Sequence, residues 1–228
     1  FLLLGEYNMM KTLLCSAAAL LTLASAPGVF AQDLTTSVSE DHDYVLDLYK
    51  HFHQNPELSL KEEKSAARMA EELKSLGFEV TEGLGDAWVK QKVMEEVGEV
   101  LPGVGGYGLV GVMKNGEGPT VMLRADMDAL PLQEKTGVPY TSNVVSTDFT
   151  GKEAPVMHAC AHDSHMAILI GAARQLVEHK DDWSGTLVLI GQPAEEIGYG
   201  ALAMLEDGLM EKFPKPDYVL ATHTSGWD

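Results

Sequence analysis

Apolar residues recur at helical spacing between residues 38 and 53, where Tyr44, Val45, Leu48, Tyr49 and Phe52 share one stripe and charged residues fill the gaps. This spacing predicts an amphipathic helix, ended by Gln54-Asn55-Pro56. Ala66, Met69, Ala70, Leu73 and Leu76 repeat the pattern and predict a second helix over residues 60–76. Ser59, with Glu62 three residues on, reads as its capping box, and Gly77 as the glycine just past its end. Residues 78–81 alternate as a strand does. Val89, Val93, Val97 and Val100 predict a short helix within residues 85–104, before Pro102-Gly103 and Gly105-Gly106 break the chain. Two strands follow, residues 108–114 and 120–125, and Asn115-Gly116-Glu117-Gly118 between them is a hairpin signal.

Residues 131–155 have no clear period and read as a long surface loop, of a kind that often serves function. A helix is predicted from Asp163 or Ser164 to about Glu178, with Ile168, Leu169, Ala172 and Leu176 inward. Residues 186–190 form a continuous apolar strand, which implies burial on both faces. A short helix over residues 199–206 stops at Gly208, and residues 218–221 form a last strand. Strands alternating with helices predict a three-layer α/β/α domain with a mainly parallel central sheet. Ligands of such sheets bind beyond the carboxyl ends of the strands. Asp126 and Asp128, Glu195 and Glu196, and His223 each follow a predicted strand, so the order of elements brings them to one rim.

The N-terminal pattern differs. Met9-Met10-Lys11 precedes an apolar run over residues 12–25, Val29-Phe30-Ala31 closes it, and Gln32-Asp33 opens polar sequence. This is the layout of a secretory signal peptide cut after Ala31, which implies an exported protein, periplasmic or secreted. The run is too short for a membrane anchor and is broken by Pro27-Gly28, so no membrane attachment is expected after cleavage. Residues 1–8 precede any start methionine and are set aside, which leaves residues 32–228 as one domain. The chain's net charge of −18 makes nucleic acid and anionic membranes poor partners. Of its two cysteines, Cys15 leaves with the signal peptide, so Cys160 has no partner for an internal disulfide.

The densest chemistry lies in Met157-His158-Ala159-Cys160-Ala161-His162-Asp163-Ser164-His165. Imidazole, thiolate and carboxylate are the ligand types of zinc-like ions, and together they point to a metal. Cys160 and His162 stand two apart, which in an extended segment aims both to one side. Asp163 and His165 lie at the start of the following helix. Glu195-Glu196 after Pro193 suits a helix N-terminus, but two adjacent carboxylates also suit a hydrolase, one binding metal and one taking a proton from water. Asp126 and Asp128 are placed to orient ligand imidazoles or to bind metal weakly, with Arg124 as their ion-pair partner. No P-C-x-x-C is present, which excludes a cytidine-deaminase type of zinc site.

Taken in order, His53-Gln54-Asn55-Pro56-Glu57-Leu58-Ser59, Gly118-Pro119-Thr120, Arg124-Ala125-Asp126-Met127-Asp128-Ala129-Leu130-Pro131, Met157 through Asp163, Gln192-Pro193-Ala194-Glu195-Glu196 and His223 resemble the zinc-dependent amidohydrolases of the aminoacylase and hippurate hydrolase type. The peptidase family that contains them also holds glutamate carboxypeptidases and plant indole-acetyl-amino-acid hydrolases. The resemblance implies a site for two divalent metal ions held by Cys160, His162, Glu196 and His223. Zinc is the default, and manganese, cobalt or nickel fit the same ligands. It also implies Glu195 as general base, Asp128 with Asp126 beside it as supporting carboxylates of the catalytic centre, and Arg124 and His165 around them. The implied reaction is hydrolysis of the amide bond of an N-acyl amino acid by a metal-activated water. A dipeptidase or carboxypeptidase of the same family is the alternative, and a metal-binding, non-catalytic fragment is the reading if residues 32–228 are the whole mature product.

Three departures from the family pattern stand out. Ala161 occupies a position where the family has glycine, and alanine is strained there if φ is positive. Residues 86–104 read as an insertion. The sequence stops soon after His223, before the smaller lid or dimerisation domain and the further histidine ligand that the resemblance leads one to expect. A homodimer of the longer protein is expected to use that missing part.

Overall fold

The computed structural model describes the backbone of residues 28–224 and the side chains of residues 34–224. The expected signal peptide lies outside the described residues, apart from the backbone of residues 28–31. The chain divides into two units, Phe1–Asp41 and His42–Asp228. Helix α1, Gly28–Gln54, begins ten residues before residue 38, where the pattern predicts its start. In the first unit the described residues are helical, and Ser39 Oγ donates to the Thr35 carbonyl at 2.7 Å. Among the described residues no helix is long and apolar enough to cross a membrane.

The second unit is built on a five-stranded sheet. Its strands are β1 (Glu79–Leu84), β2 (Gly108–Asn115), β3 (Thr120–Asp126), β6 (Gly185–Gln192) and β7 (Tyr218–Ala221), in the order β1-β2-β6-β3-β7. The helices are α2 (Glu63–Ser75), α3 (Asp86–Val97), α4 (His162–Glu178), α5 (Gly200–Glu206) and α6 (Leu209–Lys212). β6 alternates cleanly. Leu187 and Leu189 pack with Phe52 of α1, Met69 and Leu73 of α2, and Met166 and Ile170 of α4. Val188 and Ile190 pack on the opposite face with Val110, Met122, Met204 and Leu209. Helices therefore cover both faces, and the continuous apolar run of β6 reflects burial on each.

The sheet is mixed rather than mainly parallel. β3 runs parallel to β6 and β7, whereas β2 runs antiparallel to β1 and β6. The expected β2–β3 hairpin does not form, because β6 lies between them. Gly185 pairs with Asn115, Thr186 pairs with Thr120, and the Thr186 N–H donates to Pro119 O at 3.0 Å. Asn115 Nδ2 donates to the carbonyls of Lys180 and Trp183, each at 2.7 Å, and so binds the segment entering β6. The apolar surface on both faces of β6 outweighs the local turn signal and takes the strand to the middle of the sheet.

Two other elements depart from expectation. Residues 131–155 contain a small antiparallel pair, β4 (Val145–Thr147) with β5 (Glu153–Pro155), and they bury Glu134 and Ser142. α4 turns the expected Leu169 and Leu176 toward the core but not Ile168. Met166, Leu169, Ile170 and Ala173 are buried, while Ile168 is 50% exposed. His162 and His165, one turn apart, point into the functional rim, and their placement fixes the rotation of the helix. The predicted helix within residues 85–104 is α3, whose Val89 and Val93 are fully buried.

Candidate metal centre

The rim follows from strand register. Asp126, the last residue of β3, pairs with Gln192, the last of β6, and the Met127 N–H donates to Gln192 O at 3.0 Å. Arg124 pairs with Ala221 at the end of β7. Three parallel strands thus finish side by side, and the segments leaving them carry Asp126 and Asp128, Glu195 and Glu196, and His223. Opposite them is the N-terminus of α4. Gly200 lets the Glu195-Glu196 turn close, since a Cβ there would lie 1.6 Å from Pro193 O.

His162 is central and fully buried. Its Nδ1 donates to the Asp128 carbonyl at 2.7 Å. Its Nε2 has no hydrogen-bond partner in the structure and lies 3.7 Å from Asp126 Oδ2, 3.7 Å from Glu195 Oε2 and 3.9 Å from Glu196 Oε1. Glu196 Oε1 also lacks a hydrogen bond. Cys160 Sγ sits 3.4 Å from His223 Nε2. Among the described residues, three groups have potential ligand atoms lying within 4.8 Å of one another: Cys160 with His162 and His223, His162 with Glu195 and Glu196, and Asp126 with His162 and His165. Buried polar atoms without partners are costly, and their convergence with a thiol and imidazoles fits divalent cations.

Cys160 and His162 do not reach this centre through an extended segment. Ala161 between them is left-handed, with φ 62° and ψ 26°, and His162 already begins α4. The departure from glycine therefore falls where glycine is favoured. Burial, followed by the nearby Glu196 charge, pushes the Cys160 thiol up to about 11. A cation must displace that proton to bind sulfur.

The supporting groups divide the work. Asp128 accepts the Ser59 hydroxyl at 2.6 Å and the backbone N–H groups of Glu195 at 3.1 Å and Glu196 at 3.0 Å. Asp126 Oδ1 accepts His165 Nδ1–H at 2.7 Å, and its Oδ2 lies 3.1 Å from Arg124 Nη2. Arg124 Nε also donates to Gln192 Oε1 at 2.7 Å. His165 Nε2 accepts the Thr224 N–H at 3.2 Å, so both ring nitrogens are engaged and the residue beside His223 is held. Burial opposes the charge on Asp126 and on Asp128, yet the hydrogen bonds of His165 and His162 outweigh it and hold both carboxyls below their usual range.

Several residues here escape a reading of local pattern. Ser59 and Glu62 do not form a capping box. Ser59 serves Asp128, and Glu57 instead caps α2 by accepting the N–H groups of Lys64 at 3.1 Å and Ser65 at 2.7 Å. His53 Nδ1 meets Asp163 at 2.6 Å and its Nε2 meets Glu134 at 3.1 Å, which ties α1, the 131–155 segment and α4 together. His158 is buried with neither ring nitrogen hydrogen-bonded in the structure, and burial lowers its pKa to about 3. The density of polar residues in His53–Ser59 and around His158 was the available signal.

Residues 122–228 match Peptidase family M20/M25/M40. Over 197 residues the chain is 42% identical to thermostable carboxypeptidase 2 of Saccharolobus solfataricus, covering 85% of this chain and 42% of that protein. Over 172 residues it is 43% identical to the hippurate hydrolase of Campylobacter jejuni, covering 75% and 37%. The fold is similar to that of a dinuclear metal binding peptidase of the M20 family from Bacillus subtilis, with TM-score 0.64 and 28% identity, covering 82% of this chain and 44% of that one. The chain thus spans about two-fifths of the length of the curated relatives it matches. The match to Peptidase family M20/M25/M40 thus runs from within β3 through the segment that carries His223.

Proposed function

We propose that the protein is a metal-dependent hydrolase that cleaves the amide bond of N-acyl amino acids. The observation that carries this reading is the convergence of His162 Nε2 and Glu196 Oε1, both without hydrogen bonds, beside Glu195, with Cys160 and His223 at the same rim. Cys160, His162, Glu196 and His223 would hold two divalent ions, with zinc as the first choice and manganese, cobalt or nickel as alternatives. Such ions supply Lewis acidity, polarising a carbonyl and making a water acidic enough to deprotonate near neutral pH. Glu195, with its side chain 35% exposed, accepts a proton from the attacking water and returns it to the departing amine nitrogen. One O–H bond and the C–N bond break, and a carboxylic acid and an amine result. Asp128 keeps Glu195 and Glu196 in place through their main-chain N–H groups.

A peptidase reading uses the same chemistry and is favoured by the 42% identity to a carboxypeptidase. Full-length protein loaded with zinc or manganese, assayed on N-acetyl and N-benzoyl amino acids beside dipeptides, separates the two. Turnover of acyl amino acids that disappears in Glu195→Gln, with metal content retained, supports the first reading. Turnover of dipeptides alone replaces it with the second, and metal binding without any turnover removes both. The layout of residues 9–31 supports export of the hydrolase with cleavage after Ala31. An N-terminus other than Gln32 on the exported protein would contradict that cleavage site.

A further inference from the structure

Three residues other than glycine adopt positive φ among the described residues: Leu60 at 67°, Ala161 at 62° and Ala194 at 49°. Ala161 lies between Cys160 and His162. The other two are far apart in sequence yet meet at one side chain. Glu62 Oε1 accepts the Leu60 N–H at 3.1 Å and the Ala194 N–H at 2.7 Å, a contact across 132 positions. Glu62, Leu60 and Ala194 are each 0% exposed. Ala194 directly precedes Glu195 and Glu196, and Ser59, next to Leu60, donates to Asp128.

We infer that Glu62 is a positioning residue: its buried carboxyl ties the strained backbone at Leu60 to the strained backbone at Ala194, and thereby sets where Glu195 and Glu196 point. This deepens the proposed function and rests on it. The Glu195-Glu196 turn is gripped from two sides. Asp128 takes the N–H groups of the two glutamates, and Glu62 takes the N–H just before them. Backbone in the left-handed region is unfavourable for a residue with a Cβ, so it persists where its surroundings hold it. Around Ala194 those surroundings are Glu62 and the packing of Leu60, Val89, Val93 and Ala203. The Leu60 carbonyl accepts the Gly105 N–H at 3.0 Å, so the far end of the 86–104 segment closes on the same point. Glu62 Oε2 is buried without a hydrogen bond in the structure. Burial, reinforced by the Asp128 charge, holds its carboxyl well above the usual range. The geometry requires one acceptor oxygen that takes both N–H groups, and the amide oxygen of glutamine is its nearest mimic.

The test uses the full-length protein and cobalt(II) as the metal, with affinity read by chelator competition and geometry by the visible spectrum. Glu62→Gln should match the parent in both. Glu62→Ala and the shortened Glu62→Asp should lose roughly 10–100-fold in affinity, as removal of groups that orient ligands commonly does, with displaced d–d bands. If the alanine variant fails to fold, the aspartate variant decides. Parent-like affinity and spectrum in Glu62→Ala or Glu62→Asp overturn the inference, and so does a loss in Glu62→Gln as large as that in Glu62→Ala. Glu196→Ala is the control. If it leaves cobalt binding unchanged, the metal-site reading itself fails; if it weakens binding while Glu62→Ala does not, only the role of Glu62 fails.

Discussion

The Nδ1–H of His162 donates to the main-chain carbonyl of Asp128 across 2.7 Å, and this bond decides which nitrogen of the imidazole faces the centre of the rim. With Nδ1 occupied, Nε2 is left with its lone pair directed at the glutamates. The acceptor is backbone, so it survives any change of the Asp128 side chain. Asp128→Ala should therefore keep the His162 tautomer but free the N–H groups of Glu195 and Glu196. We expect about 1–3 kcal/mol of lost stability from the unpaired donors. Metal affinity should fall roughly 10–100-fold. Urea denaturation and chelator competition measure the two effects, and unchanged values in both would remove Asp128 from its role.

Cys160→Ser should weaken metal binding, because the sulfur lies 3.4 Å from His223 Nε2 and serine offers a poorer donor to a zinc-like ion. Metal content after dialysis is the direct readout. Titration of metal into the parent near neutral pH should release a proton that the serine variant does not release, since the thiol stands at about 11 without metal. Equal metal content in the two proteins would sink the assignment of Cys160 as a ligand.

Ala161 sits at φ 62° with a Cβ that this region disfavours. Ala161→Gly relieves that strain at some cost in the entropy of the unfolded chain. A net gain of about 1 kcal/mol is expected. Thermal or denaturant unfolding of the two proteins side by side checks it, and a glycine variant less stable than the parent would show that the alanine methyl contributes packing that outweighs the strain.

His53 carries a pH signature. Burial disfavours its charged form, but hydrogen bonds to Glu134 and Asp163 outweigh burial and raise its pKa. Both ring nitrogens face carboxylates, so the imidazolium is the form this setting holds. A raised folded-state pKa stabilises fully below the unfolded value of about 6.5 and loses its effect as pH rises through the folded value. The stability difference between parent and His53→Gln should be larger at about pH 6 than at about pH 9. A difference independent of pH across that range would show that His53 contributes shape rather than charge.

Much of the fold was legible because it is written in local periodicity. The stripe from Tyr44 to Phe52, the stripe from Ala66 to Leu73 and the apolar run of β6 each identify an element from neighbours in sequence. Position in the sheet was not legible in the same way. Asn115-Gly116 is a hairpin signal within its own few residues, yet the partner of β2 is β6, about seventy residues on, because both faces of β6 need cover. On α4 the outward turn of Ile168, beside Leu169 and Leu176 that pack inward as expected, has a related reason. Ile168 is a large aliphatic, but His162 and His165 must point at the rim, and a rigid helix cannot satisfy both.

The residue types settled the chemical kind of site from sequence alone. A thiol, imidazoles and paired carboxylates placed after strands are metal-centre chemistry whatever the detailed geometry, because ligand softness and charge belong to the side chains. Only the tertiary structure decided who holds whom. Glu62 and Ser59 read as a capping box, because Glu is three residues after Ser; in the fold they reach Ala194 and Asp128 instead. Hydrogen bonds that span 132 and 69 positions leave no local trace in the chain, since they exist only after β3, β6 and the start of α2 have been packed together.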